Sequence, residues 1–99
     1  MTPERLAQIA QAHGLTTRQN ANPSRIHYGV PSKYQGFSAL ATLFPTTQEV
    51  VGMASLLLVQ CARPTDWAMW RRHAAHYVRA EYKQQALAFL SNLRKEVTP

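Results

Sequence analysis

The sequence predicts an α+β fold, and three stretches carry that prediction. Segment 46–62, TTQEVVGMASLLLVQCA, has apolar residues on nearly every side of a helical projection. Segment 25–44 holds two short runs of β-branched and aromatic residues on either side of a turn. Residues 66–97 then run without a proline or glycine to the last residues of the chain. Ninety-nine residues suit a single domain, spanning 1–99, which can bury roughly two thirds of the surface exposed by its unfolded chain.

The chain opens on a strong helix start. Thr2 is placed to cap, Pro3 suits the first helical position, and Glu4 faces the positive end of the helix dipole. Leu6, Ile9, Ala10 and His13 then recur at helical spacing. Gly14 supplies the left-handed residue that ends such a helix, and Leu15 is placed for the apolar contact that accompanies it.

Ala10, Gly14 and Leu15 match the first helix and turn of a helix-turn-helix, but the continuation TTRQNANPSR does not. Asn20 stands where an aliphatic residue is needed, and Pro23 would break the recognition helix. Residues 16–24 therefore read as a long polar loop, a mobile tether or functional surface.

In segment 25–44, RIHYGV and GFSALATLF flank PSKYQG, whose Pro, Ser and Gly mark a turn, so a β-hairpin is expected. On the second run Phe37, Ala39, Ala41 and Leu43 alternate with Ser38, Leu40, Thr42 and Phe44, so neither face is clearly polar. Two strands alone are marginal, which leaves the hairpin to pack on the central segment or to form a homodimer through its open edge.

Segment 46–62 reads as a buried central helix. Thr46 and Glu49 have capping-box spacing, and Pro64 marks the end. The final segment reads as a long C-terminal amphipathic helix, capped by Thr65 or Asp66. Its first half places Trp67, Trp70, Ala74, Tyr77 and Val78 on one face, and its second half places Ala86, Phe89, Leu90, Leu93 and Val97 on a face rotated by roughly a quarter to a third of a turn. An unbroken helix packing its ends on different neighbours is the favoured reading, with a break near residues 83–85 as the alternative.

The residues offer little for catalysis. The five acids, Glu4, Glu49, Asp66, Glu81 and Glu96, form no pair suited to acid–base work. His73 and His76 lie one turn apart without a third metal ligand at a supporting spacing, and the four glycines make no phosphate loop. Cys61, the lone cysteine, sits in the most apolar segment and reads as a buried thiol in a reducing compartment. No enzyme, metal or cofactor is expected. The start lacks a secretory signal, and the apolar run at 50–59 is shorter than the ~20 residues that span a bilayer, so a soluble cytoplasmic protein is expected without a membrane partner.

Charge is the informative signal. Lys and Arg outnumber Asp and Glu by 11 to 5, for a net charge of +6, which favours an acidic partner. On one continuous helix Arg72, His76, Arg79 and Lys83 would line up opposite the tryptophans, with Arg71 nearby, Glu81 on another side, and small Ala75 and Ala86 beside the stripe. Such a stripe suits phosphates. Trp67, Trp70, Tyr77 and Tyr82 read as core rather than as base-stacking groups.

The sequence therefore points to a small, non-catalytic basic protein contacting nucleic acid or a nucleoprotein through that helix face, aided by Arg18, Arg25 and Lys33. The alternative is a protein-interaction module docking by the hairpin edge or the polar loop: an adaptor, subunit or inhibitor of the kind mobile genetic elements encode. Binding to phosphates weakens log-linearly with salt, and an apolar interface does not.

Overall fold

The computed structural model describes residues 2–19, 25–34, 36–54, 57–60 and 64–97. The element order is α1 (Pro3–Ala12), β1 (Thr16–Gln19), β2 (Ile26–Pro31), β3 (Phe37–Phe44), β4 (Glu49–Ala54), β5 (Leu57–Gln60), α2 (Pro64–Tyr77) and α3 (Ala80–Val97). The five strands form one antiparallel meander in sequence order.

The α+β class, the short N-terminal helix and the hairpin agree with the sequence reading. In α1 the Thr2 side chain accepts the Arg5 N–H at 3.2 Å. At its other end Gly14 has φ +69° and the Leu15 N–H donates to the Ala10 carbonyl at 2.9 Å, closing the helix as the Gly–Leu pair predicts.

The central helix is not formed. Residues 49–54 and 57–60 are strands β4 and β5, paired with each other from Val51↔Gln60 to Ala54↔Leu57. The expected cap is a turn in which Gln48 takes φ +59° and its N–H donates to the Phe44 carbonyl at 2.7 Å. The physical reason is that apolarity on every side does not distinguish a buried helix from strands, and Glu-Val-Val begins as readily on a sheet. Residues 61 and 62, including the thiol expected to be buried, lie outside the described residues. The first four residues of the expected loop are also strand: Thr16–Gln19 pairs with β2 from Gln19↔Ile26 through Thr16↔Gly29. Its polar residues are all exposed, as an edge strand allows.

The long C-terminal helix is two helices, α2 and α3, separated at residues 78–79 rather than near 83–85. No proline or glycine causes the break. The turn after β2 does: the Lys33 N–H donates to the Tyr77 carbonyl at 2.7 Å, Ser32 Oγ donates to it at 3.3 Å, and Ser32 bridges to Val78. A carbonyl that a continuous helix would use internally is thus engaged by a strand end. The break lets both apolar faces meet one core, in which Ala74 and Val78 join Ala86, Phe89, Leu90 and Leu93.

That core is completed by Leu6, Ile9 and Ala10 of α1 and by Tyr28, Val30, Leu40, Ala41, Leu43 and Val50 of the sheet. The sheet therefore carries its three helices on one face. A β-bulge decides which residues face them. Tyr28 pairs with Ala41 but Gly29 pairs with Ala39, leaving Leu40 as the extra residue. The pattern of β3 inverts there, which explains its blurred alternation: Ala41 and Leu43 lie opposite Tyr28 and Ile26, whereas Phe37 and Ala39 lie opposite Pro31 and Gly29 on the other face.

On that other face His27 Nδ1 lies 2.8 Å from Thr42 Oγ1. Burial, then the charge of Arg25, hold the imidazole below the ordinary value of 6.5, so the folded state keeps it neutral while the unfolded chain binds the proton more readily. This contribution is present above the unfolded value and is lost as the pH falls through the folded one. Urea melts between about pH 7.5 and 5.5 should show stability falling on acidification, with a shallower fall in His27→Gln. An equal fall in the variant would assign the dependence to another group.

A candidate nucleic-acid interface

The turn between β2 and β3 docks on the junction of α2 and α3, and the candidate site lies along that seam. Buried Ser32 anchors it. Its N–H donates to the Gly36 carbonyl at 2.9 Å, its Oγ accepts the Tyr34 N–H at 3.2 Å, and its carbonyl accepts Arg79 Nε at 3.1 Å. The chain thereby brings Lys33 from the turn beside Arg79 and Lys83 from the helical junction. These three cations line a groove of about 530 Å³ with Ala75, Val78 and Ala80.

The groove opens at the start of α3, where Ala80 is the first helical residue and the Tyr82 N–H donates to the Arg79 carbonyl at 2.9 Å. Its electrostatics favour an anion through the side-chain charges, while the positive end of α3 is offset by the negative end of α2, whose last turn contributes Ala75 to the same groove. Glu81 opposes this weakly. The break carries it to 3.9 Å from Arg79 Nη1, not to the far side expected of a continuous helix, and both groups are exposed enough for solvent to screen the pair.

Beside the groove stands an aromatic cluster. Tyr34 is 62% exposed, and its hydroxyl lies 3.2 Å from His76 Nε2. Its ring centroid is 5.8 Å from Tyr77 and 6.1 Å from His76, with Lys33 Nζ 5.6 Å from the ring. Tyr34 thus presents a ring to solvent, positioned from below by α2. Sequence reasoning missed it, because only the docking of the turn brings Tyr34 against a helix residue 42 positions away.

The predicted site residues therefore separate. Lys33, Arg79 and Lys83 share the groove, with His76 beside it in the Tyr34 cluster. Arg71 and Arg72 are exposed on α2 but do not line the groove. The basic stripe is consequently not one helix face, since the break falls between His76 and Lys83. Ala75 does line the groove, whereas Ala86 is fully buried in the core. Arg18 and Arg25 lie on the sheet, with their guanidinium carbons 4.5 Å from the Phe37 ring centroid and 5.3 Å from that of Phe44. Tyr82 packs partly against the core as expected, whereas Tyr77 is half-buried against Tyr34 and His76 instead of in the core. The side chains of Trp67, Trp70 and His73 lie outside the described residues.

Among the described residues, no group of three or more histidine, cysteine or acidic side chains is placed to hold a metal, and no helix is long and apolar enough to cross a membrane. No protein-family model matches the chain, and no curated protein or solved structure does.

Proposed function

We propose that this protein is a small, non-catalytic nucleic-acid binder that holds a phosphate backbone in the groove between the β2–β3 turn and the α2–α3 junction. One observation carries the reading: Lys33, brought from the β2–β3 turn, lines the same groove as Arg79 and Lys83 at the α2–α3 junction. Small Ala75 and Ala80 leave room for a backbone to approach, and the net charge of +6 draws a polyanion from a distance. Binding to phosphates in this way gives affinity with little base specificity. The lone Cys61 accords with a reducing, cytoplasmic setting.

Arg79 is a poor residue with which to test this, because its Nε also holds the turn through the Ser32 carbonyl. Lys33→Glu with Lys83→Glu is cleaner, since both residues are exposed and surface changes usually leave stability nearly unaltered. In a salt titration against mixed DNA and RNA the double variant should bind far more weakly. The slope of log K against log salt should flatten by about 0.7 to 0.9 for each phosphate that the variant no longer neutralises. Unchanged affinity at low salt would overturn the groove reading.

The exposed outer strand favours a second reading. The hairpin edge expected from the sequence is closed, because β1 covers β2 and β4 covers β3; among the described residues β1 pairs with β2 alone, so its other edge can accept a strand from an acidic protein or from a second copy of this chain. Such binding depends on backbone hydrogen bonds and should weaken much less steeply with salt.

A further inference from the structure

The sheet face turned away from the helices carries a second cationic surface, of different chemistry. Its parts are brought together by the β-bulge. Phe37 and Phe44 are seven residues apart and would point to opposite sides of a regular strand, but the inversion at Leu40 places both on this face. Arg18, opposite His27 in the ladder, lies over Phe37, and Arg25 lies over Phe44. Each arginine is exposed while the phenylalanine beneath it is half-buried. Among the described residues no carboxylate forms an ion pair with either arginine. Glu49 stands opposite Phe44 in the β3–β4 ladder.

An exposed arginine held beside a phenyl ring has a planar guanidinium that can stack on a nucleobase while its charge attracts the neighbouring phosphate. A lysine supplies the charge without the plane. A second copy of this chain is a poor occupant, because pairing two such faces would oppose arginines with arginines. Duplex DNA keeps its bases inside, which leaves these planes little to stack on.

We infer that the face bearing Arg18, Phe37, His27, Phe44 and Arg25 is a stacking platform for the unpaired bases of single-stranded nucleic acid. The inference rests on the nucleic-acid reading of the groove and adds to it the class of strand. In this arrangement the groove supplies salt-sensitive affinity without regard to strandedness, and the sheet supplies preference for a single strand.

The test measures fluorescence anisotropy of the full chain with labelled oligo(dT) of about 20 nucleotides and with a duplex of equal length. The wild type should prefer oligo(dT). The variant Arg18→Lys with Arg25→Lys keeps the net charge, and a thermal melt establishes that it folds. It should bind oligo(dT) at least about tenfold more weakly, while its duplex affinity stays within about twofold of the wild type. Equal affinity of variant and wild type for oligo(dT) overturns the platform. If Lys33→Glu with Lys83→Glu then abolishes binding, the groove reading survives alone. A loss confined to the arginine variant, with the lysine variant unaffected, supports the platform and removes the groove. Failure of the wild type to bind either probe overturns both.

Discussion

Replacing Phe89 with alanine is expected to destabilise the fold by about 3 to 5 kcal/mol, the range for truncating a buried phenyl ring. Phe89 is fully buried at the centre of α3, its ring meets His13 edge-on with centroids 6.1 Å apart, and it shares the core with Leu6, Leu43 and Leu93. Removing it forfeits transfer free energy and leaves a cavity that three packed elements cannot all move to fill. Against the roughly 5 to 15 kcal/mol that holds a typical domain together, this change should bring the urea midpoint far down with little change in slope. A cost below about 1 kcal/mol would mean that α3 does not dock as described, since a buried aromatic cannot be removed so cheaply.

Gly29→Ala should be almost as severe, for the opposite reason. A Cβ on Gly29 would lie 2.0 Å from the Ser38 carbonyl oxygen and 2.9 Å from Phe37 Cζ. The first neighbour is backbone within the β2–β3 ladder and cannot yield without shifting a strand. Overpacking of this kind usually costs about 1 to 3 kcal/mol, and a clash with backbone places the expected destabilisation at about 3 kcal/mol or more. Differential scanning calorimetry reads it as a lowered Tm, and a weakened β signal in circular dichroism would accompany it. An alanine variant as stable as the wild type would refute the close approach of Gly29 to β3, and with it the bulge that sets the faces of the sheet.

The tie between α1 and α3 is of a different order. Arg5 Nη2 donates to Glu96 Oε1 across the surface. That hydrogen bond, more than the charge itself, holds Glu96 below the usual carboxylate range. Both groups meet water, so solvent screens the pair and the packed faces between the helices dominate their docking.

What the sequence determined by itself was local. Thr2, Pro3, Gly14 and Leu15 specify both ends of α1, because capping depends on residues within one turn of each other. The runs of β-branched and aromatic residues around PSKYQG specify the hairpin in the same way, and the cationic excess requires no fold at all. What only tertiary structure decided was every choice in which two local readings were equally supported. Segment 46–62 could bury its apolar residues as a helix or as strands, and pairing of Leu43 with Val50 and of Met53 with Leu58 selected strands. The last helix had no breaker of its own, and it parted at residues 78–79 because Ser32 and Lys33 engage the Tyr77 carbonyl. The same docking gathered Lys33, Arg79 and Lys83, while the bulge at Leu40 turned Phe37 and Phe44 to one face. Residues that meet from some 45 positions apart leave no periodic trace in the chain, since hydrophobic and charge patterns record only a residue's relation to its near neighbours.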